Sequence, residues 1–293
     1  MNNFLFSPSF RKTLQAALLL TILFFSLGPA GTFTVYAAPP SNDNFANGTV
    51  ITTIPYTNTV VTTEATEQAS EPPVPTACDG RLLDLGVKTV WYRYTPTVTG
   101  PVYADSFGTD YDTYIAVWRG SSLGTLTFVT CDDDNEAGGY ESQVGWTATA
   151  GVTYHIQVAG YDGTVGIPNQ GNSGGTLPFH MTSFRDVPGD YWAWRYVEGL
   201  FDAGVTAGCN TNPALYCPLG GITRDQMAVF LLKAIHGANY TPPPATGDFL
   251  DVPTNYWAAA WIEQLYAEGI TAGCTVNPNN FCPTTPVARD QMA

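Results

Sequence analysis

Two patterns of apolar and polar positions divide the chain, one typical of strands and one typical of helices. Between residues 41 and 183, apolar residues form short alternating or aromatic-rich runs, such as 90–94 and 154–158, that Gly, Pro, Asn and Asp interrupt. Runs of this length and spacing predict an antiparallel β-sandwich. From residue 192 onward, apolar residues recur at helical spacing, which predicts helices instead.

The helical part is an internal repeat with a constant offset of 65 residues. Phe184-Arg-Asp-Val-Pro188 returns as Phe249-Leu-Asp-Val-Pro253, and residues 224–228 return unchanged as residues 289–293. Self-similarity at a fixed offset indicates two copies of one structural unit. Residues 184–237 are called repeat 1 below, residues 249–293 are called repeat 2, and the Pro-rich residues 238–248 are predicted to link them.

Each repeat is predicted to be all-helical, in the order helix, loop, helix. Gly204 and Gly269 follow the first apolar stripe as stop signals. Thr223 and Gln226 match a capping box that opens the second helix of repeat 1, whereas Ala288 stands at the capping position of repeat 2 and predicts a weaker start. Each helix carries one apolar stripe, so we expect the second helix to cover the first.

The N-terminal 37 residues predict a secretory signal peptide. Arg11 and Lys12 precede an apolar run from Leu14 to Leu27, and small residues follow. That run is shorter than the roughly 20 residues of a membrane span, and no later run approaches this length. We therefore expect a secreted chain without a membrane span. The sequence stops at Ala293, in the middle of the second helix predicted for repeat 2, whereas the equivalent helix of repeat 1 continues for more than another turn. We therefore expect repeat 2 to be truncated.

The net charge and the number of cysteines limit the partners and the cellular compartment that we expect for this chain. A net charge of −14 excludes nucleic acid and anionic membranes as expected partners, because both require a basic surface. Six cysteines in an oxidising compartment predict three disulfides, and zinc is disfavoured because the sequence has no C-x-x-C. Spacing favours three pairs: Cys209 with Cys217, Cys274 with Cys282 and, by elimination, Cys78 with Cys131.

The repeated motifs resemble the S-layer homology family. The resemblance rests on Phe-x-Asp-Val, a following Trp, Gly-Val/Ile-Thr-Ala-Gly, an aromatic residue before Cys-Pro, and Ile222-Thr-Arg-Asp-Gln226. It implies helical modules that bind cell-wall polysaccharide without a covalent bond, with an arginine at the carbohydrate groove. The candidate glycan-binding residues in this sequence are Arg224, Arg289, Trp192, Trp257, Asp186 and Asp251.

Physical chemistry independently favours an anion site at these arginines. An arginine at the start of a helix lies beside free backbone N–H groups, and together they suit a carboxylate or pyruvyl ketal. The alternative is that each arginine pairs with a nearby aspartate, such as Asp225 or Asp290. Both interpretations remain open at the level of sequence.

Residues 41–183 resemble the bacterial pre-peptidase C-terminal family. The resemblance is carried by residues 106–119, by Cys131-Asp-Asp-Asp-Asn135 and by the run that ends at Tyr161. It implies a non-catalytic, jelly-roll-like sandwich that accompanies secreted proteins. The expected protein is therefore a secreted, S-layer-associated surface protein whose repeats anchor it to wall polysaccharide, with other surface proteins as further partners. The alternative is the non-catalytic portion of a secreted hydrolase, such as a protease, whose catalytic domain is absent.

The sandwich also carries acidic turns that could bind Ca²⁺, the one cofactor that the sequence suggests. Carboxylate oxygens are ligands that Ca²⁺ prefers, but acidic turns between strands are more often simply solvated. Both interpretations stay open. The candidate ligands are Asp110, Asp112, Asp132 and Asp134.

We expect no enzymatic activity. Gly171-Asn-Ser-Gly-Gly175 is similar to the segment around a trypsin-like nucleophile, but Asn172 replaces the aspartate and no partner histidine segment precedes it. A serine nucleophile requires a base that the fold positions. His155 and His180 alternate within strand-like runs and are interpreted as ordinary sheet residues.

Overall fold

The computed structural model describes residues 37–73, 75–79, 86–134, 139–161 and 174–288. Residues 1–36 of the predicted signal peptide lie outside these ranges, as does Arg289. The first nine strands are β1 (Thr49–Ile51), β2 (Tyr56–Val61), β3 (Gly86–Tyr94), β4 (Gly100–Asp105), β5 (Thr113–Arg119), β6 (Thr127–Asp132), β7 (Gln143–Ala148), β8 (Tyr154–Tyr161) and β9 (Thr176–Thr182). A single helical turn, α1 (Thr76–Asp79), lies between β2 and β3.

These strands form a β-sandwich, which confirms the predicted architecture of this region. One sheet has the order β1-β3-β8-β5-β6 and the other has the order β2-β9-β4-β7. Neighbouring strands are antiparallel except for the short β1, which pairs parallel to β3. The core between the sheets contains Tyr92 stacked on Phe179, with 4.0 Å between ring centres, and the buried Trp146.

A second, smaller core covers the outer face of the five-stranded sheet. Trp91, Tyr114 and Trp118 are buried there, and Phe45, Leu123 and the Cys78–Cys131 disulfide pack over them. Strands β5 and β8 are consequently buried on both faces, which explains why their sequences read as continuous apolar runs. The tryptophans of the sandwich therefore serve as core residues.

The repeats combine helices with small hairpins. The helices are α2 (Trp194–Asp202), α3 (Arg224–His236) and α4 (Ala259–Ala267), and α2 and α4 end before Gly204 and Gly269, whose φ angles are 66° and 72°. Two-stranded hairpins join the elements, β10 (Asn210–Thr211) with β11 (Ala214–Leu215) and β12 (Thr275–Val276) with β13 (Asn279–Asn280). The prediction of all-helical repeats is therefore not confirmed.

Helix α3 packs against repeat 2 and not, as expected, over the first helix of its own repeat. Its buried Ala228 and Leu232 share one apolar cluster with Ile262 of α4. The buried Val197 of α2 lies in another cluster, together with Tyr103 from strand β4 of the sandwich. Helical periodicity shows which face of a helix is apolar, but the element that covers it is decided by tertiary packing.

Three disulfides close the structure at the predicted pairs. Cys78 is bonded to Cys131, Cys209 to Cys217 and Cys274 to Cys282, and no described cysteine is free. Disulfides of this number indicate that the chain folds in an oxidising compartment, as secreted and periplasmic proteins do. In the described part of the chain, no helix has both the length and the apolar character needed to cross a bilayer.

Candidate functional site

The first turn of helix α3 is built into repeat 2. The Nε of Arg224 donates to the Phe281 carbonyl at 2.8 Å, and the guanidinium carbon lies 4.8 Å from the centre of the Phe281 ring. The backbone N–H of Arg224 donates to the Thr285 carbonyl, and the backbone N–H of Asp225 donates to the Pro283 carbonyl, both at 3.0 Å. These bonds use the N–H groups that a free helix start would offer to an anion. The backbone at the start of α3 is therefore not free to bind an anion, and only the guanidinium group of Arg224 could attract one there.

Asp225 is not the partner of Arg224. Its carboxylate accepts hydrogen bonds from the Thr223 hydroxyl, from the Gln226 N–H at 2.8 Å and from the Tyr256 hydroxyl at 2.5 Å. Burial alone would raise the pKa of Asp225, but these hydrogen bonds hold it below its usual range. Among the described residues Arg224 forms no ion pair, so its positive charge is not neutralised by Asp225.

Trp257 completes this surface with an exposed aromatic side chain. Its indole contributes to the low pKa of the Asp225 carboxyl, yet 59% of the residue is exposed. Arg224, Asp225, Tyr256 and Trp257 are called the Arg224 surface below. Trp192, the equivalent residue of repeat 1, is 79% exposed, and no described hydrogen bond or ring contact joins it to Arg224.

The two candidate aspartates hold the disulfide loops. Asp186 accepts the N–H of Tyr216 at 2.8 Å and that of Cys217 at 2.7 Å. Asp251 accepts the corresponding N–H groups in repeat 2, from Phe281 at 2.8 Å and from Cys282 at 2.7 Å. Both oxygens of each carboxylate are used in this way. Asp251 thus supports the Arg224 surface indirectly, because it fixes the backbone whose carbonyl binds Arg224.

The candidate calcium ligands make separate contacts with different parts of the sandwich. Asp110 accepts the Thr176 N–H at 2.7 Å, and Asp132 accepts the Gln143 N–H at 2.8 Å. Burial, with the nearby charge of Asp134, raises the pKa of Asp112 to about 6. Within the described residues, the only three ligand atoms close enough to share a metal belong to Asp251 and the bonded sulfurs of Cys274 and Cys282. Calcium binding stays an untested prediction.

Both sandwich histidines lie in strands, as their alternation predicts. The Nδ1 of His180 lies 2.7 Å from the carboxylate of Asp105, and burial raises the pKa of that carboxyl. The Nε2 of His155 lies 2.9 Å from the Gly120 carbonyl, and burial lowers the pKa of its imidazole. Ser173 lies outside the described residues.

No protein-family model and no curated protein matches this sequence. Among solved structures, the pre-peptidase C-terminal domain of a collagenase from Bacillus anthracis is 12% identical with a TM-score of 0.27, and the match covers 46% of this chain and 94% of that one. A periplasmic inhibitor of g-type lysozyme from Aeromonas hydrophila is also 12% identical, with a TM-score of 0.24 and coverage of 45% and 92%. Scores this low support no conclusion on function.

The sequence patterns did not predict the structural role of two equivalent glutamates, Glu198 and Glu263. Glu263 of α4 accepts the N–H groups of Thr246, Gly247 and Asp248 at 2.6, 2.8 and 3.2 Å, and Glu198 of α2 accepts the N–H of Ser183 at 2.7 Å. Both carboxylates tie the backbone just before a repeat to the first helix of that repeat. Their identity at the 65-residue offset was the available signal, because a buried acid retained in both copies requires a partner.

Proposed function

We propose that the Arg224 surface binds an anionic cell-wall polysaccharide, and that the chain is a secreted, non-catalytic surface protein displaying its sandwich. The observation that carries the proposal is the charge of Arg224, which no described carboxylate neutralises although Asp225 adjoins it. The Nε of Arg224 donates to the Phe281 carbonyl, and this bond fixes the plane of the guanidinium group. The two terminal nitrogens of Arg224 make no described hydrogen bond. A planar guanidinium held in this way suits bidentate recognition of a carboxylate.

The exposed indole of Trp257 supplies an apolar surface beside this charge. An amphipathic aromatic group next to a fixed cation suits a polymer that alternates apolar ring faces with acidic substituents. The resemblance of both repeats to the S-layer homology family supports the same ligand class and the location at the cell wall. The three disulfides agree with a protein that works outside the cytoplasm.

The test is co-sedimentation of the exported chain with purified cell walls. We expect Arg224→Ala to weaken binding about tenfold or more, which corresponds to about 1.4 kcal/mol. Arg195→Ala is the matched control, because it removes the same charge from an exposed arginine that stacks on Trp194. We expect the control to bind like the unmodified chain, and binding to weaken as salt screens the interaction.

Trp257→Ala separates ligand binding from folding, since Arg224 also supports the helix start. Trp257 is exposed, so its removal should change the melting temperature little while it weakens sedimentation. Wall binding that survives both Arg224→Ala and Trp257→Ala would exclude this surface as the polysaccharide site. An unmodified chain that stays in the supernatant would refute wall anchoring altogether.

A further inference from the structure

The two repeats carry the same acceptor surface, but a helix packs against only one of them. In repeat 2 this surface consists of Tyr256, Trp257, Ala258 and Phe281, and in repeat 1 its equivalents are Tyr191, Trp192, Ala193 and Tyr216. Three of the four positions are identical, and the fourth is aromatic in both repeats. The covered copy therefore shows what kind of segment fits the uncovered one.

Three residues in the first turns of α3 cover the surface of repeat 2. Arg224 occupies the carbonyl and the ring face of Phe281, and the carboxylate of Asp225 accepts the Tyr256 hydroxyl. Ala228 is fully buried in the same apolar cluster as Ala258. All three contacts come from residues 224–228.

The same groups lack this cover in repeat 1. Within the described residues, neither the Tyr191 hydroxyl nor the Tyr216 carbonyl makes a hydrogen bond, although their equivalents in repeat 2 do. Ala193 is only half-buried, whereas Ala258 is fully buried. The next turn shows the same contrast, because Tyr196 is 73% exposed while the equivalent Trp261 packs against Tyr240.

We propose that this uncovered surface of repeat 1 binds residues 289–293 of a second copy of the chain. That segment lies outside the described residues, and its sequence is identical to residues 224–228. Arg289 corresponds to Arg224, which binds the carbonyl and ring of Phe281. Asp290 corresponds to Asp225, whose carboxylate accepts the Tyr256 hydroxyl. The complementarity of charge and hydrogen bonding is thus the one already seen in repeat 2.

Two observations favour a second copy as the donor. The N–H of Val287 donates to the Ile222 carbonyl at 2.9 Å, which holds the chain before residue 289 beside the start of α3. The acceptor surface at that place is already filled by α3 itself. Residues 184–293 of each copy offer one uncovered acceptor and one such segment, so two copies can pair through two equivalent contacts.

A mixing experiment in sedimentation velocity tests the proposal. The acceptor variant is Tyr191→Phe with Trp192→Ala, and the donor variant is Arg289→Ala with Asp290→Ala. We expect the unmodified chain to dimerise and each variant to dimerise at least about thirtyfold more weakly. An equimolar mixture should form a one-to-one complex, because the donor segment of one variant fits the intact acceptor of the other. Leu219→Ala, which shortens a side chain that is 95% exposed, is the control and should dimerise normally.

Three results would overturn the proposal. The first is an unmodified chain that stays monomeric at about 100 µM, and the second is a dimer that both variants retain. The third is a mixture with no heterodimer, which would mean that residues 289–293 bind within their own chain or elsewhere. None of these results depends on wall binding, so this proposal and the polysaccharide proposal can fail separately.

Discussion

Repeats 1 and 2 share their motifs but depend on different neighbours. The apolar face of α2 in repeat 1 packs with Tyr103 of the sandwich, whereas that of α4 in repeat 2 packs with α3. The α3 helix belongs to repeat 1 by sequence and to repeat 2 by contact. A repeated sequence therefore specifies the surfaces of a unit, while its position in the chain specifies what covers them.

The glutamates Glu198 and Glu263 show the same difference in their electrostatics. Burial raises the pKa of Glu198, because the hydrogen bonds from Ser183 do not offset the loss of water. Burial also acts on Glu263, but the three N–H groups of residues 246–248 bring its pKa below the usual range. Folding thus shifts the pKa of equivalent glutamates in opposite directions, upward in repeat 1 and downward in repeat 2.

The largest expected effect comes from Asp225→Ala, which breaks the junction between α3 and repeat 2. The substitution leaves the Tyr256 hydroxyl and the Gln226 N–H without their acceptor, and we expect a loss of about 3 kcal/mol in unfolding free energy. Amide exchange should accelerate in α4 and remain nearly unchanged in α2. Equal acceleration in both helices would contradict the assignment of α3 to repeat 2.

A smaller effect is expected from Glu263→Gln. The amide retains one acceptor oxygen but loses the charge that strengthens three backbone hydrogen bonds, so we expect a loss of about 2 kcal/mol at pH 7. Glu198→Gln should cost less than about 1 kcal/mol, because its carboxylate has the one backbone N–H bond and a second oxygen without a hydrogen bond. Urea titrations of the two variants give the comparison, and equal losses would contradict it.

The same pair should respond to pH with opposite signs. The folded pKa of Glu263 lies below the ordinary value of 4.5, so its contribution is present above pH 4.5 and is lost as the pH falls through the folded pKa. The folded pKa of Glu198 lies above 4.5, so its contribution is full below pH 4.5 and is lost as the pH rises through the folded pKa. Stability differences between each variant and the unmodified chain, measured from pH 3 to pH 8, should therefore slope in opposite directions, and parallel slopes would argue against this account.

A small effect is also expected from Tyr103→Phe at the junction of repeat 1 with the sandwich. Its hydroxyl accepts the Ala214 N–H at 3.0 Å, and losing one such bond should cost about 1 kcal/mol. Among the described residues, repeat 2 has no such contact with the sandwich. Hydrogen exchange of the Cys274 N–H, which donates to the Asn280 carbonyl in repeat 2, therefore serves as the internal reference. An unchanged rate for Ala214 would show that the hydroxyl contributes little.

Much of the local structure was predictable, because local signals determine it. Thr223 and Gln226 start α3 as the capping motif predicts, Gly204 and Gly269 follow the ends of their helices, and the cysteine spacing gave the disulfide pairs. The partners of α2 and α3 were not predictable from apolar stripes, since a stripe does not identify the element that covers it. The roles of Asp186 and Asp251 were missed for a similar reason, because their N–H partners lie about 30 residues away.

Hydroxyl-radical footprinting of Trp192 and Trp257, with and without purified wall polysaccharide, tests most directly whether the Arg224 surface binds this polymer. The chain is kept dilute, and the acceptor surface of repeat 1 serves as the internal comparison. We expect polysaccharide to protect Trp257, beside Arg224, and to leave Trp192 unprotected. Protection of Trp192 alone, or of neither tryptophan while polysaccharide is bound, would contradict the assignment of the Arg224 surface as the binding site.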